Sequence, residues 1–416
     1  MSVFVAAVPI FDSSMTVEAY KISAHNSDWL AVDNQQQAFG EMLATPALDL
    51  LEEVGINPFA AKKPLLVDVN QYQLLMDIPL NRKLDVSRMI CIVDQEVPTD
   101  EAILEKCRAI KKAGGRLAYS SPRGIIAKNE LTSMMDYYIV EHPNVNMTAM
   151  RETIRQMSRN QYLIVERVSD MAAFLRYGNL FHTLYCGEFY SQLITMIKSK
   201  ISPVKLNILN LMREMSAEDV DLIAVARTIE RDPALSVNLL RFINSPAVNV
   251  RRHIESIRGA VVILGQKELR RWVTVALSVG LAVDRPSEIT RLSLVRAKFA
   301  ENLATVYNMG AMGQSLFMMG LFSMVDVILQ KPMSDALREI SVEKHVSEAL
   351  VDHTGILYDV LDFVCAYERA NWDGVMRNML RNRIDPGAAQ AAYVDALQWY
   401  TQLLDDIDGG PTLGNR

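Results

Sequence analysis

VPTDEAILEKCRAIKKAGGRLAYSSP, residues 97–122, shows the unit from which the first half of the chain is built. Thr99 is a good N-cap residue for a helix. Apolar residues then recur at helical spacing on one face, and these are Ile103, Leu104, Cys107 and Ile110. The helix must end at Gly114-Gly115, and the strand-like GRLAYS (115–120) follows. The stretch therefore predicts a helix that leads directly into a β-strand.

The same alternation extends over the flanking sequence. Further runs rich in β-branched and aromatic residues are PLLVDVN (64–70), RMICIVD (88–94), MDYYIVE (135–141) and QYLIVERV (161–168). A second helix is predicted to begin at Ser169, to bury Met171, Phe174 and Leu175, and to end at Gly178. Alternating strands and helices indicate parallel strands joined by crossover helices. At least about six such units in roughly 190 residues favour a (β/α) TIM-type barrel over a small open sheet.

The second half of the chain has helical periodicity almost throughout. Asp232-Pro233 predicts a helix start, with a carboxylate at the N-cap and a proline in the first turn. Its apolar face would hold Ala234, Val237, Leu240 and Phe242, and it must end at Asn244-Ser245-Pro246. Ser256 is expected to cap the next helix and Gly265 to close it. We predict a barrel over residues 1–192, an all-helical domain over 193–404 and a flexible tail over 405–416.

Composition narrows the class of protein. The chain has 416 residues, a formal net charge of −6 and four cysteines that lie far apart. Two folded domains are the natural expectation, and the acidic balance argues against a nucleic-acid partner. The N-terminus has no basic region of a signal peptide, and the longest apolar stretch, 272–283, is too short to span a membrane. We therefore expect reduced thiols, a cytoplasmic location and no membrane partner.

Several segments resemble two known bacterial families. AAVPIFDSSMTVEAYKIS (6–23), residues 97–122 and 162–191 resemble the EAL domain, a barrel that hydrolyses the second messenger cyclic di-GMP. RDPALSVNLLRFINSP (231–246), ESIRGAVVILGQKELRRW (255–272), FMMGLFSMVDVIL (317–329) and AYERANWD (366–373) resemble the HDOD domain, a helical relative of HD phosphohydrolases. The order of the two is that of EAL–HDOD regulators. The resemblance implies a barrel followed by an HDOD domain.

The resemblance also places certain positions of this chain at the EAL site. Lys21 stands where the family has its signature glutamate, and Asp68, or Asn70 two residues on, stands for an asparagine. Glu166 stands where the family also has a glutamate. The other ligand or catalytic positions are changed, namely Ile92, Ser120, Ser121, Ile139 and Cys186.

These replacements remove most oxygen ligands that Mg²⁺ would need, and Lys21 reverses the charge at one position. We therefore expect no metal, no cofactor and no phosphodiesterase activity. Glu166 is interpreted as a strand-end carboxylate that is solvated at the barrel mouth or paired with Arg167.

The helical domain offers no metal site either. None of the six histidines is followed by aspartate, and Ser323 and Lys298 stand where HD enzymes would have histidines. Glu368 and Arg369 of AYERANWD are expected to form a structural ion pair or a domain-interface contact. A set of basic residues could meet an anion or a partner, although a solvated helix face is favoured; it comprises Arg251, Arg252, Arg258, Lys267, Arg270 and Arg271.

The sequence leaves three functions open. The favoured one is a non-catalytic signalling protein that binds other signalling proteins, in the motility or biofilm control that the resemblance implies. The second is a receptor that binds cyclic di-GMP at the barrel mouth without cleaving it, with Lys21 as a phosphate partner. The third and least favoured is a residual metal-dependent phosphodiesterase.

Overall fold

The computed structural model describes residues 3–26, 45–177, 180, 182–191, 211, 220–230, 233–244, 254, 256–281, 287–329, 331–340 and 342–408. The chain forms two compact units. The barrel unit comprises Met1–Gln192 and Cys365–Ala391, and the helical unit comprises Leu193–Val364 and Ala392–Arg416. The domain limits expected from the sequence, 1–192, 193–404 and 405–416, stay a prediction.

Eight strands close into a barrel in the order β1 to β8, as the alternating sequence predicted. β1 pairs antiparallel with β2 and with β8, and the remaining neighbours are parallel. The strands are β1 Val3–Phe11, β2 Val17–Asn26, β3 Leu65–Val69, β4 Met89–Asp94, β5 Arg116–Ser120, β6 Tyr137–Glu141, β7 Tyr162–Glu166 and β8 Thr183–Cys186.

The first half also contains helices between the strands. They are α1 Pro46–Val54, α2 Asn57–Ala60, α3 Gln71–Leu75, α4 Glu101–Lys112, α5 Glu130–Ser133, α6 Met147–Gln156 and α7 Met171–Tyr177, with 3₁₀ turns at Val86–Arg88 and Phe189–Ser191. The predicted buried face of α4 is confirmed. Its N-cap, however, is Asp100 rather than Thr99, because the Asp100 carboxylate accepts the Ile103 N–H at 2.9 Å.

One prediction for α7 is wrong. Phe174 is buried, but Leu175 is 61 % exposed and Ala173 and Tyr177 fill the inner face instead. Successive residues of a helix lie roughly 100° apart, so Phe174 and Leu175 do not share one face. The expected helix end, Gly178, lies outside the described residues.

The barrel interior is packed with apolar side chains that alternate along each strand. It contains Ile10, Ala19, Leu66, Ile90, Ile92, Ala118, Tyr137, Ile139, Ile164, Leu184 and Cys186. Because side chains alternate with a period of two, the next inward positions toward the carboxyl ends of the strands are polar. They are Asp68, Asp94, Ser120, Glu141 and Glu166. This polar end of the barrel is called the mouth below.

The second half of the chain is helical over its described residues. Its helices are α8 Leu222–Glu230, α9 Pro233–Ile243, α10 Ile257–Leu281, α11 Ser287–Val306, α12 Gly313–Phe322, α13 Val325–Leu329, α14 Met333–Ile340, α15 Lys344–Ser347, α16 Tyr358–Glu368, α17 Trp372–Asn382 and α18 Pro386–Asp408, with a 3₁₀ turn at Gly310–Met312 and a π-turn at Glu348–Asp352. As predicted, Ser256 Oγ accepts the Gly259 N–H at 3.1 Å and Gly265, with a φ of 67°, interrupts α10.

The apolar face of α9 differs from the one expected. Leu235, Leu239 and Ile243 are buried, whereas Leu240 and Phe242 are only half-buried. Positions four apart stack on one helix face, and the chain uses the face one residue away from the predicted one. Asp232, Ser245 and Pro246 and the side chains of Ala234 and Val237 lie outside the described residues.

Among the described residues, the candidate membrane span is not the stretch 272–283 considered in the sequence. Gly310–Ile328, which covers α12 and most of α13, is long and apolar enough by composition to cross a membrane. More than half of its window is buried inside the protein, at 56 %. Its apolar side chains therefore serve the core of the helical unit.

A glycine allows α11 and α12 to approach closely. A Cβ at Gly320 would lie 2.6 Å from the Arg296 carbonyl oxygen and 2.7 Å from Ala297 Cα. These are backbone atoms of α11, which cannot rotate away as a flexible side chain can. Gly320 is therefore a position at which the backbones of the two helices approach closely.

We expect Gly320→Ala to destabilise the helical unit by about 1–3 kcal/mol through overpacking. Gly310→Ala is the matched control, because a Cβ there meets nothing within 4 Å. Chemical denaturation followed by circular dichroism measures both variants. Equal stability of the two would show that α11 and α12 do not pack this closely.

Candidate functional site at the barrel mouth

Lys21 lies inside the barrel and forms an ion pair across it. β2 places Lys21 opposite Val8 of β1 and Leu66 of β3. Its Nζ donates to Glu166 Oε1 of β7 at 2.7 Å. The two side chains are 20 % and 19 % exposed. The pair therefore links strands from different parts of the barrel wall, in partial isolation from solvent.

The surroundings keep Lys21 charged. Burial acts to lower the pKa of the Lys21 ammonium, but attraction to Glu166 and Asp68 outweighs it, and the net pKa is raised above the ordinary value of 10.5. Lys21 is thus a fixed cation at neutral pH.

Asp68 lies on β3 at the same end of the barrel. Its side chain reaches solvent within the mouth but is surrounded by the barrel wall. Partial desolvation raises the pKa of Asp68, and the negative charges of Glu166 and Asp94 add to this rise, while Lys21 opposes it. The mouth therefore holds more carboxylates than cations.

The alternative at Asn70 has a different role. Asn70 is the N-cap of α3, and its side-chain oxygen accepts the Gln73 N–H at 2.9 Å. In return, Gln73 Oε1 accepts the Asn70 N–H at 3.0 Å. This capping box commits the Asn70 oxygen to starting the helix. Asp68 is the residue that interacts with Lys21.

The other positions suggested by the resemblance lie in packed or hydrogen-bonded surroundings. Ile92 and Ile139 are each 2 % exposed in the barrel core. Ser121 Oγ donates to Gln95 Oε1 and to the Ile125 carbonyl, both at 3.1 Å. Ser120 ends β5 beside Ile139 of β6. Of the positions that the resemblance suggested, the structure brings Lys21, Asp68, Glu166 and Cys186 into one electrostatic group.

Cys186 completes this group as a neutral thiol. Burial raises the pKa of Cys186 to about 12, with Glu166 adding to the rise and Lys21 opposing it. A thiolate is the nucleophilic form of cysteine, so a thiol with this pKa is unreactive at neutral pH. Cys186 is therefore part of the barrel lining.

The expected pairing of Glu166 with Arg167 is wrong. Arg167 has a φ of 57°, so the strand ends there in a left-handed turn. Its Nε lies 2.5 Å from Glu141 Oε1. Neighbouring strand residues point to opposite faces, so Glu166 points inward to Lys21 while Arg167 turns to the rim.

Sequence reasoning missed two strand-end carboxylates, Asp94 and Glu141. Asp94 interacts electrostatically with Asp68, and Glu141 lies opposite Glu166 in the pairing of β6 with β7. Each is the last residue of a predicted strand and lies two positions after an inward isoleucine. That period-two relation was the available signal.

The mouth does not fit the divalent cation that the resemblance implies for EAL enzymes. The Lys21 ammonium already lies 2.7 Å from Glu166 Oε1. A doubly charged ion about 4 Å from this ammonium would be repelled by roughly 8 kcal/mol at an effective dielectric constant near 20. Within the described ranges, no three His, Cys, Asp or Glu side chains come together as a metal site requires.

The basic set in the helical domain is only partly described. Arg258 Nε lies 3.4 Å from Glu230 Oε1, and Lys267 is exposed. Arg251 and Arg252, and the side chains of Arg270 and Arg271, lie outside the described residues. The patch stays a prediction.

The two positions suggested for HD histidines carry ordinary structural contacts. Arg296 Nη1 donates to Ser323 Oγ at 2.8 Å. Lys298 Nζ donates to Glu301 Oε2, also at 2.8 Å. Both contacts stay within the helical unit.

We expect Lys21→Met to destabilise the chain by about 1–3 kcal/mol at neutral pH, below the ~3–5 kcal/mol of a fully buried pair because both side chains are partly exposed. The loss should be smaller near pH 4. A raised Asp68 pKa means that the folded state binds this proton more tightly, so stability falls as pH rises above the ordinary carboxyl pKa. Lys21 lowers the Asp68 pKa, so without Lys21 the decrease in stability with rising pH becomes larger.

Urea unfolding at the two pH values measures this difference. Lys63→Met is the control, because Lys63 and Glu18 are 3.9 Å apart and 42 % and 45 % exposed. A pH-independent loss for Lys21→Met would contradict the electrostatic account.

Comparisons with known proteins agree with this architecture. The HDOD domain family model matches residues 201–363. The uncharacterized protein YuxH of Bacillus subtilis is 28 % identical over 417 residues, with 97 % of this chain and 100 % of the relative covered. The protein named cyclic di-GMP phosphodiesterase CdgJ of Vibrio cholerae is 26 % identical over 411 residues, with 95 % and 92 % covered.

Solved structures similar to this chain match just under half of it. A Klebsiella pneumoniae BlrP1 complex with calcium and cyclic di-GMP is 14 % identical, with a TM-score of 0.36 and coverage of 46 % of this chain and 56 % of that chain. An EAL domain protein of Listeria monocytogenes is 11 % identical, with a TM-score of 0.34 and coverage of 46 % and 88 %. The chain thus has a closed eight-stranded barrel in its first half and, over residues 201–363, a match to the HDOD domain family.

Proposed function

We propose that this chain is a non-catalytic regulator in cyclic di-GMP-linked signalling that acts in the cytoplasm by binding other signalling proteins. The observation that carries the proposal is the ion pair of Lys21 with Glu166 at 2.7 Å. It fills the mouth, where a phosphodiesterase would need a metal, with an ammonium group.

Hydrolysis of a phosphodiester at such a site requires a metal to activate water and to stabilise the phosphate charge. Neither Ile92 nor Ile139 can coordinate a metal or move a proton, and both are buried in the core. Cys186 stays a neutral thiol because burial raises its pKa to about 12.

The Vibrio cholerae relative supports the link to cyclic di-GMP, since it is named a phosphodiesterase of that nucleotide and matches almost the full length of this chain. This chain has both the barrel and the helical domain, while the Lys21 ammonium at the mouth would repel a metal ion. Retained folds without that chemistry favour a role for their surfaces, and we extend this to motility or biofilm control.

A receptor for cyclic di-GMP is the second candidate, and Lys21 is the observation that favours it. A buried lysine could pair with a phosphate. However, Lys21 already forms an ion pair with Glu166, and Asp68 and Asp94 add negative charge to the mouth. A dianionic ligand would therefore meet net repulsion, and we favour a mouth that does not bind it.

Incubation of the full chain with cyclic di-GMP and Mg²⁺ or Mn²⁺ tests the proposal, with products separated by chromatography. We expect no hydrolysis, and calorimetry with and without Mg²⁺ should give no heat. Lys21→Glu should not create activity, because Ile92 and Ile139 remain.

Two outcomes would decide for the alternatives. Turnover in Mn²⁺ that Glu166→Ala removes would establish a phosphodiesterase. Micromolar binding that Lys21→Glu abolishes and the surface control Lys63→Glu leaves intact would establish a receptor.

A further inference from the structure

The β1–β2 hairpin extends beyond the ion pair. Lys21, Ser23 and His25 share one face of β2, and Ser23 and His25 lie opposite Ala6 and Phe4 of β1. Two residues of a strand span roughly 6.6 Å, so Ser23 stands about that far beyond Lys21 along the strand. The hairpin therefore forms a raised part of the rim.

β8 supports only the lower part of this hairpin. It pairs with β1 at Ile10 and Phe11. The upper part of β1 therefore has its ladder hydrogen bonds with β2, and its other edge faces away from the sheet. An edge of this kind needs a cover.

A turn from the C-terminal part of the barrel unit lies on this rim, between α16 and α17. The Trp372 indole stacks on Phe4 with ring centres 6.0 Å apart and on His25 with ring centres 6.1 Å apart. Trp372 Nε1 also donates to Ser23 Oγ at 3.2 Å. The indole therefore contacts both strands on the face that carries Lys21.

Tyr367 contacts the open edge of β1. Its hydroxyl accepts the backbone N–H of Val5 at 3.4 Å. Its ring meets Phe4 and Trp372 edge to face, with centres 5.9 Å and 5.5 Å apart. Tyr367 and Phe4 are both fully buried as a result.

Arg369 carries the turn across to the end of β8. Its Nε lies 3.3 Å from Glu188 Oε2, so Arg369 forms an ion pair with Glu188, a partner that the sequence did not predict. Both side chains are 48 % exposed, so this ion pair orients the turn but adds little to its binding free energy. Ala370 with a φ of 53°, and Asn371, which accepts the Gly374 N–H at 3.2 Å, fix the turn and start α17.

We propose that the β8–β1–β2 side of the barrel mouth is a binding site for the chain's own aromatic turn, Tyr367 to Trp372, and that this turn undocks as a unit to open that side. The ligand of this side of the mouth is thereby a segment of the same chain. The side lined by Asp68 and Asp94 stays open to solvent.

The contacts are suited to reversible docking. They include one long backbone hydrogen bond, one indole hydrogen bond, a half-exposed ion pair, and the stacked and edge-to-face rings. The strands beneath are held by continuous ladders. A turn that is held by side-chain contacts opens at a lower free-energy cost than strands that are held by continuous backbone ladders.

Hydrogen exchange of the full chain tests this, because the Val5 amide reports directly on Tyr367. Tyr367→Phe removes only the acceptor, and Trp372→Ala removes the stacking. We expect exchange at Val5 to rise by about two- to tenfold in each variant, since one aromatic pair or one hydrogen bond accounts for up to about tenfold. Amides of β4 and β5 should not change.

Trp399→Ala is the matched control, since Trp399 packs on Phe317 in the helical unit. It should leave the Val5 amide unaffected. Ser23→Ala, which removes the indole's partner from the other side, keeps the test decisive if Trp372→Ala fails to fold.

Unchanged exchange at Val5 in Tyr367→Phe and Ser23→Ala, or exchange that rises equally throughout β4 and β5, would overturn the proposal. Neither outcome involves nucleotide or metal, so this test can fail while the proposed lack of catalysis stands, and the reverse also holds.

Discussion

The ion pair of Lys21 with Glu166 is the constraint on which the character of the mouth depends. An ammonium 2.7 Å from the retained carboxylate satisfies that carboxylate without a metal. It also offsets part of the charge of Asp68, whose pKa desolvation already raises. Lys21 thus neutralises part of the negative charge that the carboxylates bring to this end of the barrel.

The layers of the barrel separate the polar side chains of the mouth from the apolar side chains of the core. Apolar side chains fill the interior up to Ile92 and Ile139, and polar residues begin only at the carboxyl ends of the strands. The middle of each strand therefore contributes to the stability of the fold, and its carboxyl end contributes to the chemistry of the mouth. A change at Lys21 alters what the mouth can hold while the layer beneath remains packed.

The aromatic cluster at the rim gives the C-terminal part of the chain a structural role in the barrel. AYERANWD reads in the sequence as part of the helical domain, yet Tyr367 and Trp372 bury Phe4 of the first strand. A partnership between residues more than 350 positions apart leaves no periodic signal in either segment. Arg369 was recognisable as an ion-pair candidate, but its partner Glu188 was not.

The sequence by itself determined most of the parallel strands and the barrel architecture, because alternation with a period of two is a local property. It missed the face of α9 and the exposure of Leu175, since neighbouring apolar positions of a helix compete for one core. Only the tertiary structure decided that Glu166 pairs with Lys21 rather than Arg167, and that Trp372 stacks on the first hairpin. These contacts depend on which side chains closure of the barrel brings within a few ångströms, and that distance is not a property of any one segment.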